Sequence, residues 1–395
     1  MVTIAGSTKL WAFEMAEQLE SHGMLDKLFT SYAYSKNTLA RRFIRRVDKE
    51  NIPNAKIETN LFLAFPIGAF RRKAFLWNML FDKWVALKLR KSNSKIFIGW
   101  SGMCLNSIRA AKKRGMITIV ERGSSHIQFQ NSLLSQEYKN YGIRFRIHPD
   151  VIRKEMKEYE EADYISVPSL FVKRTFLEKG IPERKLFLNP YGVKADFTDA
   201  GIQAEAKPPG IFKILYLGSL SYRKGLPYLF EALNLLSIPL NQYEVCFIGK
   251  IEKGFDKYCK SYRKQNWEFL GHIDHNELPR YLRDSDISVV PSIEDGFGMV
   301  IPQLMANSVP VITTTNTGGS DLIRDGENGF VVPVRDPRAI AQRIEFLYGD
   351  PEKLELMKKQ ALMTVLEGNT WKDYGNRYMA FLKTLLKRGE VRYEE

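Results

Sequence analysis

No apolar run among these 395 residues reaches the roughly 18 that a membrane-spanning helix needs. The first residues show no positive cluster followed by an apolar stretch, so no secretory leader is expected and the chain is read as cytoplasmic. Cysteine is scarce, with Cys104, Cys246 and Cys259 the only three. They are odd in number and lack metal-ligand spacing, and two lie in apolar or amphipathic contexts where a reduced thiol packs as a small hydrophobe. Neither a disulfide nor a zinc site is expected. An Asp-X-Asp beside a strand end is missing too: the DSD at 284–286 closes a helix ahead of the strand that begins at Ile287. No metal is expected.

What is present is a chain with 44% hydrophobic and 26% charged residues, enough to bury a real core, and long enough for two domains or more. The net charge of +14 argues for an anionic partner. Most of it is local, because residues 36–95 hold 15 lysines and arginines against four acids, or +11 of the +14. Within that stretch, TLARRFIRRVDK and NLFLAFPIGAFRRKAFLWNMLFDKWVALKLRK interleave aromatics with cations. Phe70, Trp77, Phe81 and Trp84 among Arg71, Arg72, Lys73 and Lys83 make the composition of a helix lying in an anionic membrane interface. The alternative is a core helix with a basic outer face.

The chain alternates strand and helix. Val2 to Gly6 is an apolar strand, and Ser7 can cap the helix that Gly23 stops. KIFIGW, a helix to Gly115, the strand Met116 to Glu121, then ADYISVPS, a helix from Leu170 and LFLNPYGV repeat the unit. Residues 198–210 have no periodicity and read as a linker. Alternation resumes with KILYLG, YEVCFIG and WEFLG, followed by ISVVPSIEDGFGMVIPQLMANSVPVIT. In that last stretch two β-branched strands flank a glycine turn and a short helix, an arrangement that presents backbone N–H groups to an anion at the carboxyl end of a parallel sheet. Two doubly wound domains facing across a cleft are expected, with the ligand in the cleft.

PSIEDGFGMVIPQLMANSVPVIT followed by a Gly-Gly and by DGENGFVV resembles the donor-binding signature of retaining glycosyltransferases of family 4, which have the GT-B fold. LGSLSYRKG is similar to that family's glycine turn with a basic diphosphate ligand, and NPYGV to the turn that ends its N-terminal domain. The likeness covers roughly Glu161 to Asp350, and the first 120 residues share only the plan. It implies a Rossmann-like acceptor domain over 1–196, a nucleotide-sugar domain over 210–369, and a last helix, within 370–395, that crosses back to the first domain. It also implies retaining transfer from a nucleotide-diphosphate sugar to a hydroxyl by a hexosyltransferase-type enzyme of polysaccharide or glycolipid synthesis. No cofactor beyond the donor is implied; a glycan or lipid-linked acceptor and an anionic membrane surface are the other expected partners, and nucleic acid is not. An epimerase of the same fold and a catalytically silent partner subunit are the alternatives.

Carried over residue by residue, the likeness implies catalytic roles for His126, Asp295 and Lys224. It implies donor contacts from Gly218, Ser219, Arg223, Lys224, Gly271, Ile273, Glu294, Asp295, Gly296, Phe297, Gly298, Met299, Val300 and Gln303. Asp295 and Gln303 stand where the family usually has glutamates, and Ser219 where many relatives have arginine, which leaves Arg223 and Lys224 as the cations for a diphosphate. Arg122, Glu121 and the turn Trp100 to Gly102 are further candidates along the acceptor side, whereas His22, His148 and His275 are assigned to surface or loop roles.

Overall fold

A computed structural model describes residues 1–7, 11–31, 51–60, 74–193, 210–274 and 277–391. The first half contains β1 (Val2–Gly6), α1 (Ala12–Ser21), β2 (Leu25–Thr30), β3 (Ile57–Thr59), α2 (Ala74–Leu89), β4 (Ile96–Trp100), α3 (Leu105–Lys112), β5 (Ile117–Glu121), α4 (Ile127–Lys139), α5 (Pro149–Glu161), β6 (Tyr164–Val167), α6 (Leu170–Leu177) and β7 (Leu186–Leu188). The second contains β8 (Phe212–Leu217), α7 (Leu226–Leu235), β9 (Tyr243–Ile248), α8 (Asp256–Tyr262), β10 (Trp267–Gly271), α9 (Leu278–Asp284), β11 (Ile287–Val290), α10 (Val300–Met305), β12 (Val311–Thr314), α11 (Gly319–Leu322) and β13 (Gly329–Val332). Three helices follow: α12 (Pro337–Gly349), α13 (Pro351–Leu366) and α14 (Trp371–Val391).

The strands form two parallel sheets, ordered β3-β2-β1-β4-β5-β6-β7 and β10-β9-β8-β11-β12-β13. β4, β11 and β12 are buried along their whole length, which is why they read as short, mostly apolar or β-branched runs without polar alternation. In each sheet the strand order reverses once, between β1 and β4 and between β8 and β11. Such reversals open the crevice in which doubly wound sheets take their ligands.

α14 lies on the first sheet. The Tyr378 hydroxyl donates to Glu121 at 2.8 Å, Arg377 donates to Asn189 and to the Pro190 carbonyl, and Phe381 stacks on Phe187 with ring centroids 3.9 Å apart. α4 joins the halves in another way, since its Leu134 and Tyr138 belong to the apolar core of the second domain.

Two expectations change. Ser7 does not cap α1; its hydroxyl donates to Asn78 at 3.0 Å, and the helix starts after Trp11. In α2, Phe81 is fully buried and Trp84 meets Phe29 edge-on at 5.4 Å, so these rings face the core and not a lipid surface. Phe70, Arg71, Arg72, Lys73, the TLARRFIRRVDK stretch, most of the linker and His275 lie outside the described residues.

Candidate active site

Two loops meet at the reversal between β8 and β11. The first, 218–225, leaves β8 and enters α7; the second, 291–299, leaves β11 and enters α10. Their crossing demands glycine: Gly225 has φ +69°, and a Cβ there would lie 1.9 Å from the Pro291 carbonyl oxygen. Ile293 N–H donates to the Arg223 carbonyl at 3.0 Å, tying one loop to the other. Gly218 N–H donates to Ile248, the Tyr216 hydroxyl donates to the Ser219 carbonyl at 2.8 Å, and Asn316 braces Ile293 and Asp295 from the loop after β12.

On this frame each cation takes an acid. Lys224 pairs with Asp295, both side chains being partly exposed. Arg223 pairs with Glu294 at 2.7 Å, with Glu294 fully buried and 35% of the Arg223 side chain still exposed. Glu294 also accepts from Ser125 N–H (2.9 Å), the Ser125 hydroxyl (2.7 Å) and the Gln130 amide (3.0 Å), all on the first domain. Burial pushes the Glu294 pKa up, but Arg223, Gln130 and Ser125 outweigh it and hold the group at about 2. The network runs on through Gln130 to Arg122 (3.1 Å) and from Arg122 to Glu155 (2.7 Å), so a line of alternating charge crosses from one domain into the other.

The backbones close on each other as well. A Cβ on Gly296 would lie 2.0 Å from the Gly123 carbonyl oxygen, and the Ser169 hydroxyl, which also caps α6, donates to the Gly296 carbonyl at 2.6 Å. Phe297 meets Tyr191 edge-on at 5.5 Å.

Gly218, Ser219, Arg223, Lys224 and Glu294 through Val300 are therefore brought together. Gln303 is half-buried on the next turn of α10. Gly271 ends β10, two strands away, where its carbonyl accepts from Gly249 at 2.7 Å and Ile273 follows. His126 departs from its expected place: it caps α4, its Nδ1 accepts from Gln128 N–H, and its ring is enclosed by Tyr159 and Phe176 with no exposed surface. Burial, with help from Arg122 and Lys179, lowers its pKa to about 4, so the ring is neutral. The Glu294 carboxylate, expected at the donor sugar, is here taken up by Arg223 and by Ser125 and Gln130 of the first domain. Ser125, Gln130, Ser169 and Glu155 were not anticipated; Ser125 lies within the RGSSH turn that the sequence did mark.

Paired cations of this kind fit an anion that displaces the acids from them. Lys224 and Asp295 can separate toward a phosphate and a hydroxyl respectively, while Arg223 stays aimed by Glu294. Among the described residues no group of three or more His, Cys, Asp or Glu could hold a metal ion.

Residues 198–363 match the family described as Glycosyl transferases group 1. The putative glycosyltransferase EpsD of Bacillus subtilis (strain 168) is 30% identical over 192 residues, covering 46% of this chain and 48% of its own length. The capsular polysaccharide biosynthesis glycosyltransferase CapM of Staphylococcus aureus is 29% identical over 179 residues, covering 44% and 47%. The chain thus spans about half the length of the curated relatives it matches. Whole-chain likeness is one of fold: sucrose-phosphate synthase from Thermosynechococcus elongatus superposes with a TM-score of 0.76 at 17% identity over 98% of this chain and 99% of its own. Anabaena HepE, solved in complex with UDP-glucose, gives 0.68 at 15% identity over 97% and 99%. The two parallel-sheet domains are those of the GT-B fold.

Proposed function

We propose that the chain is a retaining glycosyltransferase of family 4, moving a sugar from a nucleotide-diphosphate donor to a hydroxyl of a glycan or lipid-linked acceptor in cell-surface polysaccharide or glycolipid synthesis. The observation that carries this is the meeting of Arg223 and Lys224 with the Glu294 to Gly298 loop at the strand-order reversal of the second sheet. A diphosphate at that crossing draws Lys224 off Asp295 and takes its ammonium, and the freed Asp295 carboxylate accepts from sugar hydroxyls. Arg223, aimed by the first domain through Glu294, meets the negative charge that grows on the leaving diphosphate. Gly271 and Ile273 contact the base and Gln303 the ribose. His126 acts at a distance, by fixing the turn that carries Ser125.

Among the described residues nothing near the loops resembles a nucleophile with its base, which favours front-face displacement: the leaving phosphate oxygen takes the acceptor proton while the protein aligns the reactants. The complex of HepE with UDP-glucose supports a uridine diphosphate sugar as the first donor to try. In this reading the protein works at the cytoplasmic face of a membrane, and among the described residues no helix is long and apolar enough to cross one. Its test is a screen of nucleotide sugars for slow donor hydrolysis, which needs no acceptor. Release of nucleoside diphosphate from one donor supports the reading; an isomerised sugar in place of released diphosphate, or inertness toward every donor, defeats it.

A further inference from the structure

The outer face of α2 carries a feature separate from the cleft. Leu76, Leu80, Lys83, Leu87 and Arg90, one residue past the helix end, recur at alternating four- and three-residue steps and so share one side of it. The three leucines are 43%, 42% and 58% exposed, while Phe81, Val85 and Leu89 fill the inner side. Beside this stripe, a groove of about 430 Å³ runs between α2 and α3; Ala86 and Ala110 line it together with Lys83, Arg90, Lys113 and Arg114.

Among the described residues no acid lines that groove. The one acid of α2, Asp82, is fully buried and holds Asn106 N–H and Ser107 N–H, each at 2.9 Å, and Lys154 at 3.2 Å. Arg109, the remaining cation of the groove, is taken up by Glu161 at 2.7 Å. The face is thus apolar and cationic together.

We propose that this face docks the protein on an anionic membrane, with Leu76, Leu80 and Leu87 entering the interface and Lys83, Arg90, Lys113 and Arg114 meeting headgroup phosphates. A second copy of the chain does not fit, since a self-complementary contact would set these cations against one another. Nucleic acid would meet the charges but has no use for exposed leucines, which offer no stacking surface. A lipid interface takes both kinds of side chain. The proposal rests on the glycosyltransferase reading only for its corollary, that the acceptor is membrane-borne; the docking itself stands or falls without donor or acceptor.

Flotation of the full chain with vesicles tests it. Vesicles of 30 mol% phosphatidylglycerol in phosphatidylcholine, of the kind chosen to give a strongly anionic surface, should bind at least about tenfold more tightly than pure phosphatidylcholine, because each cation near such a surface contributes roughly a fivefold gain. Replacing Lys83, Arg90 and Lys113 together with glutamine should release the protein at physiological salt, and Leu80→Ser with Leu87→Ser should weaken binding even at low salt, where charge is least screened. Because all five side chains are exposed, donor hydrolysis in solution should not change and reports that the variants fold. Failure of the wild type to float, unchanged flotation of both variants, or equally tight binding to soluble polyglutamate would overturn the proposal. Flotation without donor hydrolysis would sink the function and leave the docking face standing.

Discussion

Lys224 and Arg223 are neighbours in sequence, yet they are held differently: Lys224 by an acid of its own domain, Arg223 by an acid that the other domain has already claimed. Lys224→Ala should lower turnover at least about a hundredfold and weaken nucleoside diphosphate binding, the loss expected when a cation at a developing charge is removed. Calorimetric titration with the diphosphate alongside donor turnover checks it, and near-normal values for both would remove Lys224 from the site. Glu294→Gln keeps the shape and drops the charge. It should destabilise the folded chain by about 2 kcal/mol, below the ~3–5 kcal/mol of a wholly buried pair because Arg223 is partly exposed. The folded pKa of Glu294 lies below its unfolded value, so its contribution is present at neutral pH and fades as pH falls from about 4.5 toward 2. Thermal unfolding of wild type and variant across that range should show the two converging on the acid side; a constant gap would assign the loss to packing.

At the scale of elements, the seat of α14 on β5 titrates in the opposite sense, through Glu121. Burial raises the pKa of Glu121 to about 7, with hydrogen bonds from Ser166 and Tyr378 only partly offsetting it, so the folded state holds a proton that the unfolded chain gives up near 4.5. The stability from this group is present below about pH 4.5 and is lost as pH rises through about 7. Glu121→Gln mimics the protonated form and should raise the melting temperature relative to wild type at pH 8 more than at pH 5; the reverse order would show Glu121 ionised in place. The elements differ in how openly the sequence announces them. β4, β11 and β12, buried on both faces, stand out as uncharged, mostly apolar or β-branched runs, whereas β2 carries Asp26 and Lys27 and β3 is only three residues long, and neither gives a strand signal. α4 escaped notice because its sides bury against different domains, Ile127 in one core and Leu134 and Tyr138 in the other, so no single stripe forms. The loops of the site could be read from Arg223, Lys224, Asp295 and the glycines around them. Their pairing could not, since Ser125 and Gln130 reach Glu294 across 169 and 164 residues and no spacing encodes that contact. The position of His126 was legible, but the inward turn of its ring depends on Tyr159 and Phe176, which lie far along the chain.

For the whole molecule, the reading assigns charge neutralisation to side chains of the second domain aimed by the first. Donor hydrolysis should therefore persist in excess chelator. Loss of activity restored by magnesium or manganese would contradict this and move the diphosphate onto a metal.

The seat of α14 bears on synthesis. The first sheet is complete once β7 has been made, but the helix that covers Glu121 and Phe187 is about 180 residues further on. At roughly 5–20 residues per second, a ribosome needs on the order of 10–40 s to supply it. During that interval the nascent first domain has Glu121 and Phe187 without their Tyr378 and Phe381 partners, so its sheet reaches its final packing only after the second domain has been translated.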